Sequence, residues 1–219
     1  MFKPTEQPAA LAVAAVLLAA GEGSRMGGVA KSLFRLNGQA LLSRQIEALK
    51  AAGVKELVVV TGNFYEAIEA ELRPHGVFVV RNPTPKAGQQ SSVRLGLQQL
   101  RSDYDFTFIT LADQPLLATN DFIELITAFA QRGPDKEIRY PVVEGNRGNP
   151  VALSKKSIDT LLKIEPPVTC RDFIKQHPEL VNPHTTVNDH FIIDIDTEQD
   201  LISFQARTGQ TLLAPEGSR

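Results

Sequence analysis

Through the first half of the chain, apolar runs rich in Val and Ile alternate with segments whose apolar residues recur at helical spacing. Residues 11–18 are continuously apolar, as expected of a central strand covered on both faces. A helix is predicted over 40–51, with Leu41, Leu42, Ile46 and Leu49 on one side and Gly53 just past its end. Strands at 56–61, 77–81 and 105–111 then alternate with helices at 64–72, 91–100 and 120–132, the last stopped by Gly133-Pro134. The second half is less regular, with strands expected at 138–143, 148–153 and 191–195 and short helices at 155–162 and 171–176. Thr197, with Asp200 three residues on, predicts a capped final helix to about Arg207. The pattern is that of an α/β protein: a three-layer, Rossmann-like arrangement with a mostly parallel sheet and helices on both faces.

Composition narrows the functional classes. The chain has 219 residues, 42 % of them hydrophobic, and 23 Lys+Arg against 25 Asp+Glu. That size suits one domain with a substantial core. The near-neutral charge leaves no basic excess to displace counterions from a nucleic acid. A single cysteine, Cys170, builds neither an internal disulfide nor a multi-cysteine zinc site and reads as a packing residue in a cytoplasmic protein. His75, His177, His184 and His190 lack metal-ligand spacing. The apolar run at 9–20 is shorter than the roughly 20 residues that span a bilayer, and Glu6, Pro4 and Pro8 spoil a signal-peptide flank. No membrane partner is expected. The expected organisation is a disordered tail at 1–9, one domain at 10–208 and a C-terminal tail at 209–219, with the last few residues frayed.

The strongest chemical signal is Leu18-Ala19-Ala20-Gly21-Glu22-Gly23-Ser24-Arg25-Met26-Gly27, followed by Lys31. A glycine-rich turn leaving a buried strand exposes backbone N–H groups that can wrap phosphates. Arg25 and Lys31 add positive charge at a strand's carboxyl end, where α/β proteins bind ligands. It is not a P-loop, because Ala30 precedes Lys31-Ser32 where a glycine is required. A dinucleotide fingerprint fails too: Met26 takes the third glycine's place, and Thr61-Gly62-Asn63 offers no acid for a ribose. The bland alternative is a glycine turn with solvated charges.

This motif resembles the signature of nucleotidyltransferases that condense an NTP with a phosphorylated acceptor, and within them the molybdenum cofactor cytidylyl- and guanylyltransferases. The resemblance runs from about Val13 to Leu201 and implies that Leu18, Ala19, Ala20, Gly21, Gly23, Ser24, Arg25 and Lys31 meet the nucleotide. Gly88-Gln89-Gln90-Ser91-Ser92-Val93-Arg94-Leu95-Gly96-Leu97 is similar to the family's G-x-x-x-S-L-x-x-G-L, which adds Gly88 and Ser92; helix capping is the alternative for the serines. Leu111-Ala112-Asp113-Gln114-Pro115 resembles the metal-binding D-x-P, with a capping Asp as the alternative. Ile193-Asp194-Ile195-Asp196 resembles D-I-D, and strand alternation would put both acids on one face, costly without a cation. The resemblance thus implies Mg²⁺, or Mn²⁺ in its place, on Asp113 and Asp194; Asp196 is the alternative second ligand, or else helps the turn into the last helix.

Arg25, Lys31 and Asp113 are the expected catalytic residues. Arg147-Gly148-Asn149-Pro150-Val151 is similar to the family's R-G-H-P-V with Asn149 for histidine, so Arg147 and Asn149 are expected near the acceptor. The G-D-x-G-A-R stretch of the cytidylyltransferases is missing; Pro167-Val168-Thr169-Cys170-Arg171 stands there, and Arg171 could replace its arginine. Ala20 occupies the place of a glycine in the guanylyl members, which favours CTP over GTP. The implied acceptor is molybdenum-bound molybdopterin, with a molybdoenzyme or its maturation factor receiving the product. GTP, a sugar or polyol phosphate, and a non-catalytic nucleotide or cofactor chaperone remain as alternatives.

Overall fold

A computed structural model describes residues 11–215. The expected 1–9 tail and the last four residues lie outside them. Six strands form the central sheet: β1 (Val13–Ala19), β2 (Glu56–Thr61), β3 (Phe78–Arg81), β4 (Phe106–Leu111), β5 (Ile138–Arg139) and β6 (Val151–Ser154). Their spatial order is β3-β2-β1-β4-β6-β5. The first four are parallel; β6 runs antiparallel to β4, and β5 to β6.

Every residue of β1 is buried, and its alternating side chains feed two cores. Ala15 and Leu17 pack under Leu42, Ile46 and Leu49 of α1 (Leu41–Ala51), Ile68 and Leu72 of α2 (Tyr65–Leu72), and Phe122, Leu125 and Phe129 of α4 (Thr119–Ala130). Val16 and Leu18 face Val93 and Leu97 of α3 (Gln89–Gln99), Ile158 and Leu161 of α5 (Lys155–Leu161), and Phe173 and Ile174 of α6 (Cys170–Gln176). A strand covered on both faces has no solvent side, so it reads as an unbroken apolar run. Gly96 lets α3 press onto the sheet; a Cβ there would lie 2.4 Å from Val16 Cγ1.

The chain winds outward from β1 to β3, then α3 carries it back across the sheet to β4 on the other side of β1. The carboxyl ends of β1 and β4 therefore bound the crevice where winding reverses, the usual ligand position in open α/β sheets. α7 (Glu198–Thr208) packs through Phe204 in a third apolar cluster with Met26, Phe34, Leu36, Leu41 and Ile195.

Three expectations need correction. The 138–143 strand is two: β5 ends at Arg139, and Pro141–Val143 joins Asn146–Arg147 and His184–Thr185 in a small sheet. Pro141 has no N–H to continue a ladder. The 148–153 strand starts only at Val151, after Pro150. Residues 191–195 are not a strand, since Asp189–Ile192 is a 3₁₀ turn and the chain then crosses the sheet's end. Ile195 N–H donates to Asp113 O at 3.0 Å, while Asp196 N–H is taken by Asp200, so no ladder can form. Within the expected C-terminal tail, Leu212–Leu213 pairs with Arg35–Leu36, and Leu212 is buried. Among the described residues, no helix is long and apolar enough to cross a membrane.

Candidate active site

A groove of about 490 Å³ opens at the switch point. Leu18, Ala20, Gly21 and Ser24 line it from the β1 loop, Lys86, Gly88, Gln89 and Ser92 from the approach to α3, and Asp113, Asp194 and Asp196 from the far side. Eight of the expected nucleotide and metal residues thus share one cavity. Ala19 and Lys31 sit on its inner flank, where they line a smaller space with Gly21, Ser32 and Asp113.

The two glycines of the loop do different jobs. Gly23 is buried with φ +61°, and a Cβ on it would lie 2.0 Å from Val29 O. Its carbonyl accepts from Met26 N–H at 2.8 Å and Gly28 N–H at 2.9 Å, which closes the turn. Gly23 therefore shapes the loop from behind and does not line the groove. Gly21 is exposed, with nothing within 4 Å of its Cβ position. No neighbouring atom inside the protein requires a glycine there, and Gly21 lines the groove.

Lys31 is the electrostatic centre. Its ammonium donates to Asp113 Oδ2 at 2.9 Å and to Asp196 Oδ1. One nitrogen bonded to both places the two carboxylates within about 6 Å of each other. Burial works to lower the Lys31 pKa, but Asp113 and Asp196 together hold it above the ordinary lysine value. Arg25, largely exposed, reaches Asp196 Oδ2 at 3.2 Å. Asp196, expected as the alternative second ligand or in the turn, is thus the shared partner of both cations. Burial first, then the charges of Asp113 and Asp196, raise the Asp194 carboxyl above its usual value.

Two details bear on a cation. Asp113 Oδ1 is buried without a hydrogen-bond partner, and the Asp113, Asp194 and Asp196 side chains offer only hard oxygen donors, suited to Mg²⁺ or Mn²⁺. The donor set fits such an ion. Among the described residues, no group of three or more His, Cys, Asp or Glu side chains is already gathered for one, and Lys31 stands between two of these acids.

A second groove, of about 190 Å³, adjoins the first through Gln89 and Leu111. Arg147, Asn149 and Arg171 all line it, with Cys170 and no carboxylate. Arg147 stacks over the Tyr140 ring at 4.5 Å; burial, and after it the charge of Arg171, lower its pKa. Burial pushes the Cys170 thiol up to about 11, so it stays protonated at neutral pH.

The sequence reading missed the residues that hold these walls. Gln45, on the apolar face of α1, donates to Leu111 O at 2.6 Å and Gln114 O at 3.2 Å and accepts from Thr110 Oγ1. Gln114 Nε2 donates to Phe191 O at 3.1 Å, and the same carbonyl accepts from Asn149 N–H at 2.9 Å. The Asp113 loop, the acceptor-side groove and the segment leading to Asp194 thus converge on one carbonyl. The available signal was Gln45 itself, a polar residue at the spacing of Leu41, Leu42 and Leu49.

With this geometry in view, comparison with known proteins is decisive. A protein-family profile described as the MobA-like NTP transferase domain matches residues 15–181. The chain belongs to that family. It is 35 % identical over 131 residues to a bifunctional IPC transferase and DIPP synthase of Thermococcus kodakarensis, covering 58 % of this chain and 29 % of that one. It is 35 % identical over 127 residues to the 2-C-methyl-D-erythritol 4-phosphate cytidylyltransferase of Thermobifida fusca, covering 55 % and 51 %. The chain therefore spans about half or less of the length of these relatives. A nicotine blue oxidoreductase of Paenarthrobacter nicotinovorans is 26 % identical over 196 residues, 86 % of this chain and 94 % of that one. Among solved structures, a Methanothermobacter nucleotidyl transferase superposes with a TM-score of 0.74 at 21 % identity, over 90 % of this chain and 97 % of its own. Family and fold are those of an NTP transferase domain.

Proposed function

We propose that this MobA-like domain moves CMP from CTP to a phosphorylated acceptor with release of pyrophosphate, and that the acceptor is molybdenum-bound molybdopterin. The single observation that carries the reading is the meeting of Lys31 with Asp113 and Asp196 at the edge of a glycine-walled groove, beside a second groove lined by arginines. An acceptor phosphate is already ionised at neutral pH, so attack on the α-phosphorus needs no general base. The acceptor oxygen forms the new P–O bond as the bond to pyrophosphate breaks. The obstacle is repulsion between anions, and catalysis is then positioning and charge neutralisation.

In this reading, Leu18, Ala19, Ala20, Gly21, Ser24, Gly88 and Ser92 receive the nucleoside and its phosphates, with Gly23 setting the turn. Arg25 and Lys31 offset charge on the departing pyrophosphate. Arg147, Asn149 and Arg171 orient the acceptor. Asp113 and Asp194 would hold a divalent cation, Mg²⁺ or Mn²⁺, which supplies a Lewis acid for the α-phosphate. Ala20 narrows the approach to the loop and favours the smaller pyrimidine. A cytoplasmic protein that hands its product to a molybdoenzyme or its maturation factor fits this reading.

The test is pyrophosphate release from each NTP, with and without molybdenum-loaded pterin. CTP with the pterin is expected to turn over. Lys31→Ala and Asp113→Ala are each expected to lower the rate at least about 10²-fold, as for loss of a group that stabilises transition-state charge, with circular dichroism unchanged. Near-wild-type rates in either would remove the assignment. A second reading, transfer to a sugar or polyol phosphate, is favoured by the match to 2-C-methyl-D-erythritol 4-phosphate cytidylyltransferases; turnover with such acceptors and none with the pterin would select it. Redox turnover of nicotine blue without pyrophosphate release from any NTP would instead favour the activity named for the Paenarthrobacter relative.

A further inference from the structure

Asn82 follows β3 and is 3 % exposed. Its Oδ1 accepts from Thr84 N–H at 2.9 Å. Because an N–H can bond only the oxygen of the amide, this contact fixes which way the amide faces. Nδ2 therefore points at the start of α3, where it donates to Ser91 Oγ at 2.8 Å and to Ser92 Oγ at 2.9 Å. A hydroxyl that accepts one of these bonds keeps its own proton to donate. Ser91 gives its proton to Gly88 O at 2.7 Å. Ser92 has no acceptor among the described residues, yet it lines the groove with Ala20, Gly21 and Lys86.

We propose that Asn82 is a positioning residue that keeps the Ser92 proton from turning inward, so that Ser92 serves as a hydrogen-bond donor to an acceptor atom of the bound nucleotide. The inference rests on the nucleotide reading of the groove. A serine facing an inward acceptor would spend its proton there; Asn82 presents only amide protons to the paired serines, so the Ser92 proton stays available to the groove. An oxygen or ring nitrogen lone pair of the ligand at this point is its matching partner. The same amide ties the Thr84 turn to α3, so the fixed donor and the groove wall that carries Lys86 are set together.

Calorimetric titration of CTP into the wild-type protein, N82D, S92A and the N82D/S92A double variant tests this. N82D keeps the shape and the contact to Thr84 N–H but replaces the donor by an acceptor, which turns the Ser92 proton inward. Each single variant is expected to bind CTP at least about tenfold more weakly, the range for a buried polar group left unmatched. In N82D, which alters no residue lining the groove, the rate at saturating CTP is expected to change less than about threefold, because the loss falls on nucleotide binding uniformly. The double variant is expected to bind no worse than either single one, since both remove the same bond. Where the new carboxylate lowers the melting temperature, N82A and N82A/S92A replace it: the freed Ser92 hydroxyl can still donate, so N82A is expected to bind CTP more weakly than the wild type but more tightly than S92A, and the double variant as S92A does. Wild-type affinity in S92A or in the Asn82 variant, or losses that multiply in the double variant, would overturn the inference while leaving the functional reading intact. Failure of the wild-type protein to bind any NTP would sink both.

Discussion

At the scale of single residues, neighbouring glycines in one loop have separable purposes. Gly23 sits at positive φ with backbone pressed against its missing side chain, whereas Gly21 faces open space. Gly23→Ala combines a left-handed conformation, costing about 1 kcal/mol, with a collision that only a backbone shift relieves. The expected outcome is a loss of about 2 kcal/mol or more in chemical denaturation. Gly21→Ala meets nothing and is expected to melt within about 1 °C of the wild type, in keeping with a surface substitution, while nucleotide affinity falls because the methyl group enters the ligand's space. Equal melting losses in both variants, or unchanged affinity in Gly21→Ala, would show the division to be wrong. The glycine spacing in the sequence could not separate these roles, because a ligand's demand and the backbone's demand select the same residue.

At the scale of elements, what could be read from sequence followed from local rules. The βα alternation up to α4 obeys hydrophobic periodicity, and Thr197 with Asp200 forms the capping box their spacing implies. What was hidden depends on long-range geometry. Residues 191–195 alternate like a strand but lie across the sheet's end, where Asn149 N–H bonds Phe191 O and Ile195 N–H bonds Asp113 O. Asp194 and Asp196 reach the groove nonetheless, by that crossing rather than by strand alternation. Asp200 links cap to site: its Oδ2 accepts from Thr197 N–H at 2.7 Å, Thr197 Oγ1 at 2.8 Å and Asp196 N–H at 3.0 Å. Burial works to raise its pKa, but these bonds to Thr197 and Asp196 hold it below the usual 3.8. A carboxyl with a depressed folded-state pKa stabilises the fold above its unfolded value and loses that contribution as pH falls through the folded one. Asp200→Ala is therefore expected to cost about 1 kcal/mol at neutral pH, with the gap to wild type closing below about pH 3.8. Melts taken between pH 7 and pH 3 check this; a gap that stays constant with pH would refute the charged role.

At the scale of the whole molecule, the candidate site has no home in any one element. The β1 loop, the turn before α3, the end of β4 and the crossing segment before α7 each supply one wall, and only the folded sheet brings them together. Such a site is absent from the unfolded chain, so a ligand bound there adds its binding free energy to folding, about 2.7 kcal/mol at a hundred times Kd. For a domain of this size, each kcal/mol raises the melting temperature by about 2–4 °C. CTP with Mg²⁺ at that excess is accordingly expected to raise it by about 5–10 °C, with GTP giving a smaller rise at equal concentration. Asp113, Asp194 and Asp196 face one groove with like charge. Phosphates brought in without a cation would add to that repulsion, so a chelator is expected to abolish most of the rise, and CTP alone to give little. Differential scanning calorimetry on the wild-type protein decides the matter. A full rise with CTP in the presence of chelator would mean that Lys31 and Arg25 neutralise the triphosphate unaided, and that the carboxylates serve to hold those two cations in place.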